Sequence, residues 1–169
     1  MSDLSPAKVW VGLANSDDVG IKFDLLANVF VNGVPVGTGH LDSVVAGSSG
    51  FNNAKLDTIP LALTGGPVTV TSGNVFSIQV LARNACLGSG HNSGRARLWY
   101  NGQPIDTGAS RDAGSRFDAT IGGTSRDYYL RPAFALDTTA GAAKATRDVA
   151  VGPKCGPFVT FGTWNIVLP

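Results

Sequence analysis

The chain has 169 residues and a formal net charge of +1; it is 43% hydrophobic and 15% charged. That length suits one domain with a sizeable core, and the composition is that of a folded rather than a disordered chain. The near-neutral balance lacks the basic excess that nucleic acid demands of a partner, and no apolar run approaches the roughly 20 residues of a membrane span.

All twelve acidic residues are aspartate, Met1 is the one methionine, and glycine numbers 22. Glutamate favours helices, whereas aspartate favours caps and turns. A chain without glutamate and rich in Val, Thr, Gly and Asn is therefore expected to be built from strands and turns. Its start, Met1-Ser2-Asp3-Leu4-Ser5-Pro6, lacks the apolar stretch of a signal peptide. Export by that route would need a leader removed ahead of it.

Taken in chain order, apolar residues alternate with a period of two between turn residues. Val9, Val11 and Leu13 share one face of a first strand, and Phe23, Leu25, Ala27, Val29 and Val31 share one face of a second. Asn32-Gly33 predicts a tight hairpin, because both central residues of a type I′ turn need positive φ. The return strand runs from Val34 to about Leu41, with Pro35 placing its start at a sheet edge. A Ser/Gly/Asn loop follows, from Ala46 to Asn53. The next strand, Lys55 to Leu63, carries Pro60 and reads as another edge.

A short piece from Val68 to Thr71 lies between Gly65-Gly66-Pro67 and Ser72-Gly73-Asn74. The clearest strand then places Phe76, Ile78, Val80 and Ala82 on a core face. Arg95 to Tyr100 forms a strand that ends at Asn101-Gly102, a second hairpin signal. Phe117, Ala119 and Ile121 alternate before Gly122-Gly123, and Tyr128, Leu130, Phe134 and Leu136 form a strand around Pro132. Residues 140–145, rich in alanine, are the one place for a helical turn. The last strand, Phe158 to Leu168, offers Trp164, Ile166 and Leu168 on one face. About nine or ten strands predict an all-β fold over residues 1–169: a single two-sheet antiparallel sandwich, jelly-roll or related Greek key.

Three segments carry a resemblance: residues 9–18 (Val9 to Asp18), Arg97-Leu98-Trp99-Tyr100-Asn101, and residues 115–123 (Ser115 to Gly123). They resemble parts of uncharacterised secreted bacterial β-sandwich proteins, over most of the chain. The resemblance implies export but no activity, so no site is carried across.

Cys86 and Cys155 sit in loop sequence, and their even count favours a disulfide over two unrelated thiols. Such a bridge would add about 4 kcal/mol in the chain-entropy model and would place the protein in an oxidising compartment. Neither cysteine has a neighbour at zinc-ligand spacing. No Asn-x-Ser/Thr sequon occurs.

The sharpest binding candidate is Arg95, Arg97 and Trp99. A period of two puts them on one face of a strand, while Ala96, Leu98 and Tyr100 point to the core. An exposed Trp between guanidinium groups can stack on a sugar ring or attract an anion. Its bland alternative is an Arg stacked on Trp with no ligand. Trp10 and the Tyr128-Tyr129 pair could extend the surface.

Asn15, Asp17 and Asp18 cluster oxygen ligands in a loop, with Asp24 close in sequence. Ca²⁺ is the ion such a set could hold, although a hydrogen-bonded turn accounts for the same residues and no EF-hand spacing is present. The remaining signals for catalysis are His40 and His91, with Ser89 and Ser93 beside the latter. No nucleophile-elbow sequence supports a triad, and both histidines read as surface residues.

Together these readings lead to a non-catalytic, extracellular or cell-surface recognition or adhesion module with carbohydrate as the expected ligand. Two alternatives stand beside it. One is a self-associating assembly subunit of a surface layer, filament or capsid-like array. The other is an Asp-based hydrolase with two carboxyl groups across a cleft.

Overall fold

The computed structural model describes residues 1–46, 54–99, 115–121, 123–130 and 146–168. Their strands are β1 (Asp3–Leu4), β2 (Ala7–Leu13), β3 (Lys22–Val31), β4 (Val34–Val45), β5 (Ala54–Ile59), β6 (Ala62–Leu63), β7 (Val75–Asn84), β8 (Gly94–Trp99), β9 (Arg116–Ile121), β10 (Thr124–Tyr129), β11 (Thr146–Val151) and β12 (Val159–Val167). One 3-10 turn, Ser16–Asp18, is the only helical segment among the described residues. None of their helices is long and apolar enough to cross a membrane.

Among the described residues all pairing is antiparallel, in two sheets. The five-stranded sheet runs β12-β7-β3-β4-β6. In the seven-stranded sheet, β2 lies between β5 on one side and β8 and β9 on the other; β11 flanks β8, and β1 and β10 flank β9. Alternation explains why the sheets face one another. Phe23, Leu25, Ala27 and Val29 of β3 and Phe76, Ile78, Val80 and Ala82 of β7 are fully buried, as are Val9 and Val11 of β2 and Ala96 and Leu98 of β8. They belong to a single buried cluster. Phe76 of the five-stranded sheet meets Phe117 of the other with ring centroids 5.3 Å apart. Each fully buried aromatic or aliphatic side chain of this kind stabilises the fold by about 1.5–3 kcal/mol.

Two glycines are dictated by geometry. Asn32 (φ 50°) and Gly33 (φ 78°) form the type I′ turn between β3 and β4. Asn32 also secures that turn to β7, its Oδ1 accepting from the Val75 N–H at 2.8 Å. Gly39 of β4 lies where a Cβ would overlap the carbonyl oxygen of Pro60. At that point the chain leaves β5 in one sheet and enters β6 in the other.

The structure extends or divides several expected elements. β4 continues to Val45 rather than stopping near Leu41; Ser43 takes a positive φ of 53° beside an irregularity in the β3–β4 register. The strand expected from Lys55 to Leu63 is split at Pro60 and Leu61, since proline cannot donate to a ladder. The Val68 to Thr71 piece is not a strand, though the Val68 N–H donates to the Met1 carbonyl. β11 went unpredicted. Residues 46–53, apart from Ala46, and the Asn101-Gly102 turn, the continuation past Leu130 and residues 140–145 lie outside the described residues.

Candidate functional site

Strand β8 presents Arg95, Arg97 and Trp99 on the outer face of the seven-stranded sheet, opposite to Ala96 and Leu98 in the core. This orientation agrees with the alternation of the sequence. The accessibility of the three differs from expectation. Arg95 is exposed, and its backbone N–H donates to Asp18 Oδ2 at 2.9 Å. Arg97 is half-buried and faces its cross-strand partner Asp148 on β11. Its Nε donates to Asp148 Oδ1 at 2.7 Å and its Nη2 to Oδ2 at 2.8 Å, a bidentate pair. Those hydrogen bonds push the Arg97 pKa above its usual value; burial opposes the shift and the Asp148 charge reinforces it.

Trp99 is the correction. Expected as an exposed stacking surface, it is only 4% exposed. It clusters with Trp10, its cross-strand partner at 6% exposure, and with Ala54. Period two fixes the side of a sheet to which a residue points but not whether that side is covered. Neither indole Nε1 finds a hydrogen-bond partner among the described residues. The side chains of Tyr128 and Tyr129 lie outside the described residues.

Between these two tryptophans the ladder is completed by a side chain. Ser115 is fully buried; its Oγ accepts from the Trp10 N–H at 3.0 Å and donates to the Trp99 carbonyl at 2.6 Å. Here β2 passes from pairing with β8 to pairing with β9, where Lys8 faces Arg116. The hydroxyl fills the hydrogen-bonding gap at that fork.

The Asn15, Asp17, Asp18 and Asp24 set does not assemble as one site. Asn15 caps the 3-10 turn, its Oδ1 accepting from the Asp18 N–H at 3.2 Å, and Asp18 holds the Arg95 N–H. The turn accounts for these residues, with Asp17 exposed. Asp24 belongs elsewhere. It is 1% exposed, and its carboxylate accepts from Ser43 N–H (2.9 Å), Arg83 Nε (2.9 Å) and Cys86 N–H (3.3 Å). Burial alone would raise its pKa; the three hydrogen bonds and the Arg83 charge outweigh that and hold it below the ordinary value.

Asp24 also lies near His40 and Asp42, with one ligand atom from each within 4.8 Å of the others. His40 Nε2 is 3.3 Å from Asp42 Oδ1, and both side chains are exposed. Arg83 lies over the Phe158 ring at 4.5 Å. Both Asp24 oxygens already accept from cationic and amide donors, through which Asp24 holds Ser43 of β4 and the loop that carries Cys86.

The loops meet at the disulfide. Cys86 and Cys155, 69 positions apart, are bridged. The link ties the loop after β7 to the loop before β12, and both loops cross between the sheets. Asn84, fully buried, adds Nδ2 donations to the carbonyls of His91 (2.8 Å) and Gly152 (3.2 Å). The His91 Nε2 lies 2.7 Å from the Val19 carbonyl, so that nitrogen donates. Ser89 Oγ accepts from the Lys22 N–H, and Ser93 is exposed. These contacts tie the loop down.

Asp148 and Ser115 were missed by sequence reasoning. Alternation of Val149 and Val151 could have revealed β11 and hence the Asp148 partner; nothing local marks Ser115. Searches against family models, curated proteins and solved structures find no match to this chain.

Proposed function

We propose that this protein is a non-catalytic recognition or adhesion module of the extracellular space or cell surface, a jelly-roll-like β-sandwich that binds carbohydrate on the outer face of the seven-stranded sheet. The observation that carries the reading is the Arg97–Asp148 pair. Two of the five guanidinium N–H donors are used on Asp148, and the remainder point away from that bond. A planar donor fork fused to a carboxylate acceptor offers complementary partners to adjacent sugar hydroxyls, and such charge-assisted bonds are the stronger kind. Arg95 extends the donor row along β8, and the Trp10–Trp99 pair forms a rigid floor instead of the stacking platform expected from sequence. The disulfide supports an oxidising location.

A glycan-array screen of the oxidised protein, repeated with Arg97→Ala, tests the proposal. The expected result is binding that falls at least about tenfold in the variant, the loss of one charge-assisted bond of roughly 1.5–3 kcal/mol. An absence of glycan signal, or a signal equal in both proteins, contradicts it.

Self-assembly is the second reading. Val34 (61% exposed) and Val167 (66%) lie at one end of the five-stranded sheet, and Leu87 (75%) lies at the other. Apolar groups at opposite ends suit head-to-tail stacking of copies, which does not close on itself. Light scattering at high concentration separates the two readings: a monodisperse monomer removes the second.

A further inference from the structure

Asp57 occupies a position where the fold calls for an apolar side chain. On β5 it pairs with Val9 and shares the inner face of the sheet with Ile59, both fully buried. Asp57 itself is 4% exposed, and its Oδ2 finds no hydrogen-bond donor among the described residues. Burying a carboxylate without a partner is costly, and the group responds by holding its proton. β5 is also bonded into the sheet from one side only among the described residues. It pairs there with β2 alone, and the chain leaves the sheet just beyond it, at Pro60.

Among the described residues the charges around it are few. Lys55 lies on the same strand and the same face, and it is exposed. Lys8 of β2 alternates with buried Ala7 and Val9, so it points outward. On the sheet opposite, Lys22 and Asp24 of β3 and His40 and Asp42 of β4 alternate with the inward residues Phe23, Leu25 and Leu41, and so occupy the far face. Residues 47–53 contain no titratable side chain. Desolvation therefore dominates and pushes the Asp57 pKa up to about 7, with Lys55 pulling weakly the other way.

We propose that Asp57 is a pH-operated latch on β5: its neutral form keeps this edge strand closed on the core, and its carboxylate form releases the strand locally, uncovering the β2 edge. The sign follows from linkage. A group whose pKa is higher closed than open stabilises the closed form fully below the open value of 3.8, and loses that stabilisation as pH rises towards about 7. Taking those two values, the opening constant rises roughly 50-fold from pH 5 to pH 7 and levels off above about pH 8.

Amide hydrogen exchange from pH 5 to 9, corrected for intrinsic exchange, reads this directly. The opening constant of residues 54–59 should climb and then flatten, while amides of β3 and β7 stay protected. In Asp57→Asn the β5 profile should be flat. A flat profile in the natural chain, the same climb in the variant, or equal loss in β3 and β7 overturns the latch. The ¹³Cγ shift of Asp57 gives a check that needs no variant. A midpoint near neutral pH is expected, and one below pH 5 overturns the proposal.

Discussion

Replacing Ser115 by alanine removes one oxygen atom and leaves two main-chain groups stranded. Ser115 is wholly buried, and its hydroxyl serves the Trp10 N–H and the Trp99 carbonyl at once. A buried donor or acceptor that loses its partner costs about 1–3 kcal/mol, so the pair should cost on the order of 3 kcal/mol after partial relaxation of the fork. For a domain of this size that corresponds to a fall in Tm of roughly 6–12 °C. Urea unfolding of the oxidised protein at pH 6, followed by tryptophan fluorescence and by far-ultraviolet circular dichroism, measures it. The midpoint should fall with an unchanged m-value. Ser93→Ala, in an exposed loop, should stay within about 0.5 kcal/mol of the natural chain. A Ser115→Ala protein as stable as that control would show that the hydroxyl does not hold the fork together.

Two further outcomes follow from the loop end of the molecule. Cys86→Ser combined with Cys155→Ser should lower stability by about 4 kcal/mol in the chain-entropy model for a 69-residue separation; denaturant midpoints of the paired proteins check this, and equal midpoints would contradict it. Asp24→Asn should cost about 2–3 kcal/mol at pH 7, because Arg83 and two amides lose their carboxylate in a nearly buried site, softened by the partial exposure of Arg83. Since the Asp24 pKa is depressed, its contribution is present above the unfolded value of 3.8 and disappears as pH falls below it. Urea midpoints between pH 2 and 6 should therefore drop less steeply in the variant; parallel curves would contradict the assignment.

The parts of the fold that were legible in the sequence are those written in local alternation. Phe76, Ile78, Val80 and Ala82 identify the core face of β7 without any knowledge of its neighbours, and Asn32-Gly33 fixes a hairpin because few other residues accept its dihedral angles. The side of β8 that carries Arg97 was equally plain. Long-range facts were not. The burial of Trp99 depends on what lies over the outer face, and the partnership of Arg97 depends on β11, which is 51 positions away. Asp57 illustrates an ambiguous pattern. Lys55, Asp57 and Ile59 share one parity and Leu56 and Thr58 the other, so polarity alone does not say which side of β5 is buried. The Asn15–Asp18 cluster shows the converse, in that oxygen-rich loops are the material of turns as much as of cation sites.

The binding face is tested most directly by nuclear magnetic resonance titration of the isotopically labelled protein with a glycan that it retains on the array. The account predicts shifts gathered at the Arg97 Nε–H and at the amides of Arg95, Arg97 and Asp148, with the loops around the disulfide unchanged. Shifts confined to those loops, or spread evenly over both sheets, would contradict it.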